Sequence, residues 1–162
     1  METTYDMFIE TDVPEDELIV SRTDFTGKIT YVNETFADIS GYKPEELIGK
    51  PHNMIRHPDM PKSAFEDLWK TVESGGTWEG YVKNLRKDGG YYWVFARVST
   101  VIKNGKAIEY KSVREPMSRE KKIEIQNLYD KMRSEEEGTT RVILYVDNEN
   151  LEKAKALDIA RY

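Results

Sequence analysis

The 162 residues predict an α+β fold built around one antiparallel sheet, and three observations carry that prediction. Two short β-branched stretches open the chain, and longer aromatic and β-branched stretches follow after residue 77. Several short helical signals lie between the two groups. Neighbouring strands are joined by tight turn chemistry, which antiparallel pairs accept and parallel crossovers do not.

Taken in order, residues 1–17 read as an N-terminal cap, irregular or partly helical. Leu18–Asp24 suits a strand, Thr26-Gly27 a turn, and Lys28–Val32 a second strand that closes a hairpin. Asn33 opens a helix, because its side-chain oxygen accepts from unpaired first-turn amides. Phe36, Ile39 and Ser40 follow at helical spacing, and Gly41 ends that helix. Lys43-Pro44-Glu45-Glu46-Leu47 predicts a short helical turn with Pro near its start.

Residues 49–61, GKPHNMIRHPDMP, are too rich in glycine and proline for a long regular helix. Pro61 then suits a first helical turn, and Ala64, Phe65, Leu68, Trp69 and Val72 form one apolar helix face. That helix ends near Gly75-Gly76. Thr77–Arg86, Tyr91–Lys103 and Lys106–Glu115 predict a three-stranded meander, turned at Lys87-Asp88-Gly89-Gly90 and at Asn104-Gly105. Ser118–Glu137 predicts an exit helix with Ser118 as its cap and Lys121 at the capping-box position. Beyond it, 142–146 suits a strand and 150–162 a helix, read together as a docking tail. The domain organisation expected is therefore a cap over 1–17, a sensor-sized domain over 18–117, a linker helix over 118–138 and a tail over 139–162.

Composition narrows the function classes. Apolar residues are 38% and charged residues 33%, as in a globular domain rather than a disordered one. No apolar run approaches the roughly 20 residues that span a bilayer, and the acidic N-terminus has no signal-peptide pattern. A cytoplasmic location follows as the expectation, with any membrane connection made through a partner. The net charge of −6 works against nucleic acid and anionic lipid. The chain has no cysteine, which removes disulfides, thiolate metal sites and cysteine nucleophiles.

The motifs then carry a resemblance. Asp24-x-x-Gly27-x-Ile29-x-Tyr31-Val32-Asn33-x-x-Phe36 and Ser40-Gly41-Tyr42-x-x-Glu45-Glu46-Leu47-x-Gly49 resemble the opening of the PAS fold. The more specific stretch Lys50-Pro51-His52-Asn53-Met54-Ile55-Arg56-His57-Pro58-Asp59-Met60-Pro61 resembles the signature of the Aer family of aerotaxis and energy-taxis receptors. Trp78-x-Gly80-x-Val82-Lys83-Asn84-x-Arg86-Lys87-x-Gly89 and Tyr92-Trp93-Val94 are similar to the same family, and the resemblance spans roughly 18–116. It implies a five-stranded PAS sheet with short helices on one face and flanking helices, and a non-covalently held FAD. It further implies that Arg56, His57 and Asp59 hold the cofactor and that Asn33, Phe65, Trp69 and Asn84 line or support its pocket. His52 and Trp78 match family positions as well.

The residues permit that chemistry without requiring it. A flavin ring needs apolar walls and a few placed polar groups. Phe65 and Trp69 suit such walls, or ordinary core. Asn84 lies mid-strand, where Asn is disfavoured, in alternation with Val82, Gly80 and Trp78. An inward amide there offers a donor and an acceptor to a pyrimidine edge, while an outward one simply meets water. Asn33 is equally well explained as a helix cap. Arg56 suits a phosphate or carboxylate, or pairing with Asp59 on a solvated loop. The spacing of His52 and His57 does not make a metal pair.

Without cysteine, the cysteinyl–flavin adduct of light-sensing PAS domains cannot form, so the flavin reading becomes one of redox sensing. The expected output is a protein contact with a membrane chemotaxis transducer. Its HAMP-like region would be engaged in trans or in a part of the protein beyond these residues. Homodimerisation through 1–17 and 118–137 is a further expectation. A haem gas sensor using His57 or His52, a ligand-free PAS interaction module and a flavoenzyme are the rival readings. The last is disfavoured because no nicotinamide fingerprint or paired acid–base set stands out.

Overall fold

A computed structural model describes residues 9–137. The expected tail elements at 142–146 and 150–162 lie outside the described residues. The strands are β1 (Ile19–Thr23), β2 (Ile29–Val32), β3 (Trp78–Leu85), β4 (Tyr91–Lys103) and β5 (Lys106–Glu115). The helices are α1 (Glu34–Ser40), α2 (Pro44–Leu47), α3 (Lys62–Glu73) and α4 (Arg119–Glu137), with a 3₁₀ turn at His52–Ile55. Every strand falls within one residue of its expected bounds. The 49–61 segment contributes only the 3₁₀ turn, as its prolines and glycine dictate.

All pairings are antiparallel, and the strand order is β2-β1-β5-β4-β3. Chain-sequential neighbours therefore pair at both ends, and β5 closes the gap by pairing with β1. The register is set by which side chains each strand buries. Ser21 pairs with Ser112, Ser112 with Val98, and Val98 with Trp78, so one row crosses four strands on a single face. The next row joins Ile19, Arg114, Ala96 and Gly80.

This face is the one covered by α1, α2, the 3₁₀ turn and α3. The Trp78 indole Nε1 donates to Asp67 of α3 at 2.9 Å, which pins the helix to the sheet. Phe36, Leu47, Ile55, Leu68 and Val72 fill the layer between. Gly80 is required here: a Cβ added to it would collide with the Trp78 ring.

The opposite face is also partly covered, by α4. Ser118 Oγ accepts from the Lys121 amide at 3.2 Å and starts that helix. Its apolar stripe, with Ile125 and Tyr129 buried, lies on the outer side of β3 and β4. Tyr129 packs on Trp93 with ring centroids 6.2 Å apart, and its hydroxyl donates to the Tyr81 carbonyl at 2.6 Å. Burial, with Tyr81 adding to it, pushes that hydroxyl's pKa up to about 12. The expected linker helix is thus a packed layer, leaving Ile123 and Leu128 on its exposed side. Residues 9–13 run beside the start of β4, where Tyr91 donates to the Ile9 carbonyl and accepts from the Thr11 amide. Lys122 of α4 holds this segment by ion pairs to Glu10 (2.6 Å) and Asp12 (3.3 Å). Among the described residues no helix is long and apolar enough to cross a membrane.

Replacing Gly80 by alanine is expected to push the Trp78 indole off Asp67 and destabilise the fold by roughly 1–3 kcal/mol. Urea denaturation measures this. A midpoint equal to that of the wild type would show that the indole moves aside at no cost.

Candidate functional site

The helix-covered face of the sheet carries unusually many small and polar side chains for an interior surface. Ser21, Thr23, Asn84, Ser112 and Arg114 are all buried there beside Ala96 and Gly80. Polar groups sealed from water normally pair. Thr23 Oγ1, Ser112 Oγ and Asn84 Nδ2 have no hydrogen-bond partner among the described residues. They lie on β1, β5 and β3. Asn84 is three strand spacings across the sheet from Thr23, and along the strands it lies eight residues beyond Thr23's row and six beyond Ser112's. A ligand lying on this face could bond one or more of these atoms, so the face fits a cofactor of the flavin kind.

Asn84 is placed by backbone as well as by alternation. It pairs with Tyr92 on β4, and on its other side it forms an isolated bridge with Arg56. The 55–60 segment therefore runs along the free edge of β3. This placement divides the motif. Arg56 turns its guanidinium onto the Phe65 ring of α3, 3.8 Å from the centroid. His57 and Asp59 instead reach the α4 side. The His57 ring meets Tyr91 edge-on at 6.1 Å, and its Nδ1 accepts from the Asp59 amide at 3.0 Å. The Asp59 carboxylate takes a 2.7 Å hydrogen bond from Lys83 Nζ. Both Arg56 and Asp59 are buried, at 8% and 3% exposure, so the alternative of a solvated loop pair does not hold. Burial alone would push the Asp59 carboxyl up; the neighbouring His57, Lys83 and Arg133 outweigh it and hold it below its ordinary value.

The remaining expected residues fall as follows. Phe65 and Trp69 are buried on the inward face of α3, and Trp69 meets Tyr110 edge-on at 5.7 Å. Trp78 lies on the sheet's inner face. Asn33 spends its amide on structure: Oδ1 accepts from the amides of Phe36 (3.0 Å) and Val20 (3.1 Å), and Nδ2 donates to the Leu18 carbonyl at 2.8 Å. Its cap role is therefore observed, and it joins α1 to β1.

His52 is buried under Phe36, whose ring it meets edge-on at 5.8 Å. Its Nε2 lies 2.6 Å from Arg114 Nη2 and 3.3 Å from Ser21 Oγ. Arg114 Nη2 also donates to Ser21 Oγ at 3.0 Å, and its guanidinium lies over Phe36. Burial, and then the arginine charge, hold His52 well below its ordinary pKa. A neutral imidazole facing a guanidinium is a poor setting for a metal cation, and the described residues hold no cluster of metal-ligating side chains.

Sequence reasoning missed Arg114 and Lys83. Each sits in a strand among polar neighbours and reads as a solvated lysine or arginine. The usable signal was parity: Arg114 alternates with Tyr110 and Ser112, and Lys83 is the neighbour of a strand Asn.

Comparison with known proteins fits this geometry. A family profile described as the PAS fold matches residues 29–114. The chain belongs to the PAS family. It is 44% identical over 119 residues to the aerotaxis receptor of Escherichia coli K12, which covers 74% of this chain and 24% of the receptor. It is 27% identical over 92 residues to the nitrogen fixation regulatory protein of Klebsiella pneumoniae, covering 57% of this chain and 19% of that protein. The chain thus spans a quarter or less of the curated relatives it matches. Among solved structures, a light-oxygen-voltage domain studied with a flavin analogue superposes with a TM-score of 0.61 at 22% identity. That superposition covers 71% of this PAS chain and 89% of that domain. The light-oxygen-voltage domain of a histidine kinase from Erythrobacter litoralis gives 0.58 at 19% identity, covering 63% and 97%. Both show the shared PAS fold.

The low pKa of His52 predicts an acid sensitivity of stability. In the unfolded chain this histidine gains a proton as pH falls through about 6.5, while in the folded chain it stays neutral. The unfolded state then binds more protons, so stability falls on acidification below that value, by at most about 1.4 kcal/mol per pH unit. Denaturation midpoints at several pH values should fall less steeply in His52→Gln than in the wild type. Parallel slopes would mean that His52 titrates normally.

Proposed function

We propose that this PAS domain binds FAD and senses redox or energy state, passing the signal on through protein contacts rather than by turning over a substrate. The observation that carries the reading is the buried, unpartnered Asn84 Nδ2 on the helix-covered sheet face, supported by the similarity to an aerotaxis receptor. Bound flavin would supply reversible uptake of electrons. Everything else would be the work of the chain.

In this reading Asn84 binds the polar edge of the ring with an amide that both donates and accepts. Thr23 and Ser112 offer hydroxyls along the same face. Phe65, Trp69 and Trp78 supply apolar walls and exclude water. Arg114 sets a fixed positive charge in a low-dielectric layer, which favours added negative charge nearby. Arg56, stacked on Phe65, closes the edge and offers a planar fork to a phosphate. Asn84 and Arg114 would redistribute their hydrogen bonds with the charge held beside them, and that redistribution is what the rest of the domain could read. The partner proposed is a membrane chemotaxis transducer with a HAMP-like region, in trans or elsewhere in the same protein, with homodimerisation as a further contact. The domain itself would act in the cytoplasm.

One observation favours a second reading. The Trp78 ring already lies against Gly80, as in an interaction module whose interior is filled by its own side chains.

The absorption spectrum of the purified chain separates the two. The flavin reading expects the two visible bands of oxidised flavin, bleached on reduction, and FAD released on denaturation. A Soret band or a colourless protein that takes up no added FAD would overturn it. Asn84→Ala should weaken FAD binding about tenfold, equivalent to about 1.4 kcal/mol, as fluorescence titration would read.

A further inference from the structure

Helix α4 is held at three points: to β3, to the 55–60 segment and to the start of α3. Lys83 Nζ, already bonded to Asp59, also donates to Gln126 Oε1 at 2.9 Å. Gln126 Nε2 donates to Asp130 Oδ1 at 2.9 Å, and Arg133 Nη2 donates to the same oxygen at 3.0 Å. Arg133 Nη1 donates to the Asp59 main-chain carbonyl at 2.6 Å. These bonds close a ring from Asp59 through Lys83, Gln126, Asp130 and Arg133 back to Asp59. One turn further on, Glu136 accepts from the amides of Lys62 (3.1 Å) and Ser63 (2.9 Å). Those amides open α3, whose own cap residue is Pro61 and provides no side-chain acceptor. A carboxylate there also complements the positive end of α3.

The held elements are the ones that face inward. Asp59 lies three residues after Arg56, which bridges Asn84. Helix α3 carries Phe65 and Trp69. A shift of α4 would break its bonds to both of these elements. Lys83 is enclosed by the rings of Tyr91 (4.4 Å) and Trp93 (5.8 Å), so its ammonium cannot swing to another partner without leaving the interior.

We propose that Lys83, Arg133 and Glu136 are positioning residues that make cofactor binding and the docking of α4 a single coupled equilibrium. Asp59 then serves the cofactor indirectly, as the anchor of the loop to the exit helix. The proposal rests on the flavin reading above and names how that site is regulated. Coupling is reciprocal: the factor by which docked α4 strengthens FAD binding is the factor by which FAD strengthens α4 docking.

The test uses the full chain with FAD as the probe. Hydrogen exchange along α4 is followed with and without FAD, together with FAD affinity. FAD should slow exchange across 126–136 about tenfold, within the usual range of coupling factors. Arg133→Met and Glu136→Ala should each weaken FAD binding about five- to tenfold and abolish the FAD-dependent protection of α4. Glu136 lies at the surface, so its variant keeps the fold and decides the matter should the buried arginine variant not fold. FAD binding that leaves α4 exchange unchanged, or a Glu136→Ala chain that binds FAD as tightly as the wild type, would overturn the proposal. If the wild-type chain takes up no FAD, the flavin reading falls and the free chain decides the clamp. Glu136→Ala must then speed exchange over 56–63 as well as along α4, and a change confined to α4 sinks it.

Discussion

The free edge of β3 is the constraint on which this domain's organisation depends. An edge strand exposes a row of unpaired amides and carbonyls, and a folded protein must cover or blunt it. Here the cover is the 55–60 segment, bridged at Arg56 to Asn84 and bonded from the Lys83 amide to the Met60 sulfur. A chain running along a sheet edge has side chains on both sides of the sheet. That geometry sends Arg56 to the helix-covered face and Asp59 to the α4 face. A single covering segment therefore has contact with both layers, and no through-sheet route is needed to connect them.

The inner face shows the opposite economy. A sheet packed only on helices would be expected to carry Val, Ile and Leu at every inward position. This one keeps Ser21, Thr23, Ser112, Ala96 and Gly80 small, and tolerates Asn84 and Arg114. Burying a guanidinium is costly unless its surroundings stabilise it, and here Ser21, His52 and the Phe36 ring do part of that. Small residues leave room, and the unpartnered hydroxyls and amide leave bonding capacity. Stability alone favours neither, since an apolar layer would pack more tightly without unmet polar atoms. The proposed binding role accounts for this departure from the best core.

Much of the fold was legible because it was written in local chemistry. Asn33 as cap, Gly41 as stop, Asn104-Gly105 as a hairpin turn and the Phe65–Trp69 stripe act over a few residues each, and each formed as expected. The site was legible only where a residue broke a local rule, as Asn84 does mid-strand. Arg114 and Lys83 break none: a strand on a two-layer domain is allowed a basic residue at either parity, and which face is wet depends on what lands on it. Nothing local says that α4 folds back over β3 and β4, so a helix with a narrow apolar stripe reads as a linker. The motif signalled Arg56, His57 and Asp59 as one group, and only the path of the chain along β3 shows them divided between two faces.

The buried Asp59–Lys83 pair bears on what that division is for. Two charges removed from water gain little net stability, because desolvation offsets most of their attraction. An apolar pair of similar volume would hold the layers together as well or better. What an ion pair adds is direction: it is satisfied in one arrangement and leaves a buried charge exposed to an apolar layer in any other. Lys83 bonds Gln126 at the same time, so the arrangement that satisfies the charges is also the one in which α4 is docked. A contact with sharp geometric demands and small net stability suits a joint that must have two defined states, since neither state is then buried under the energy of the other.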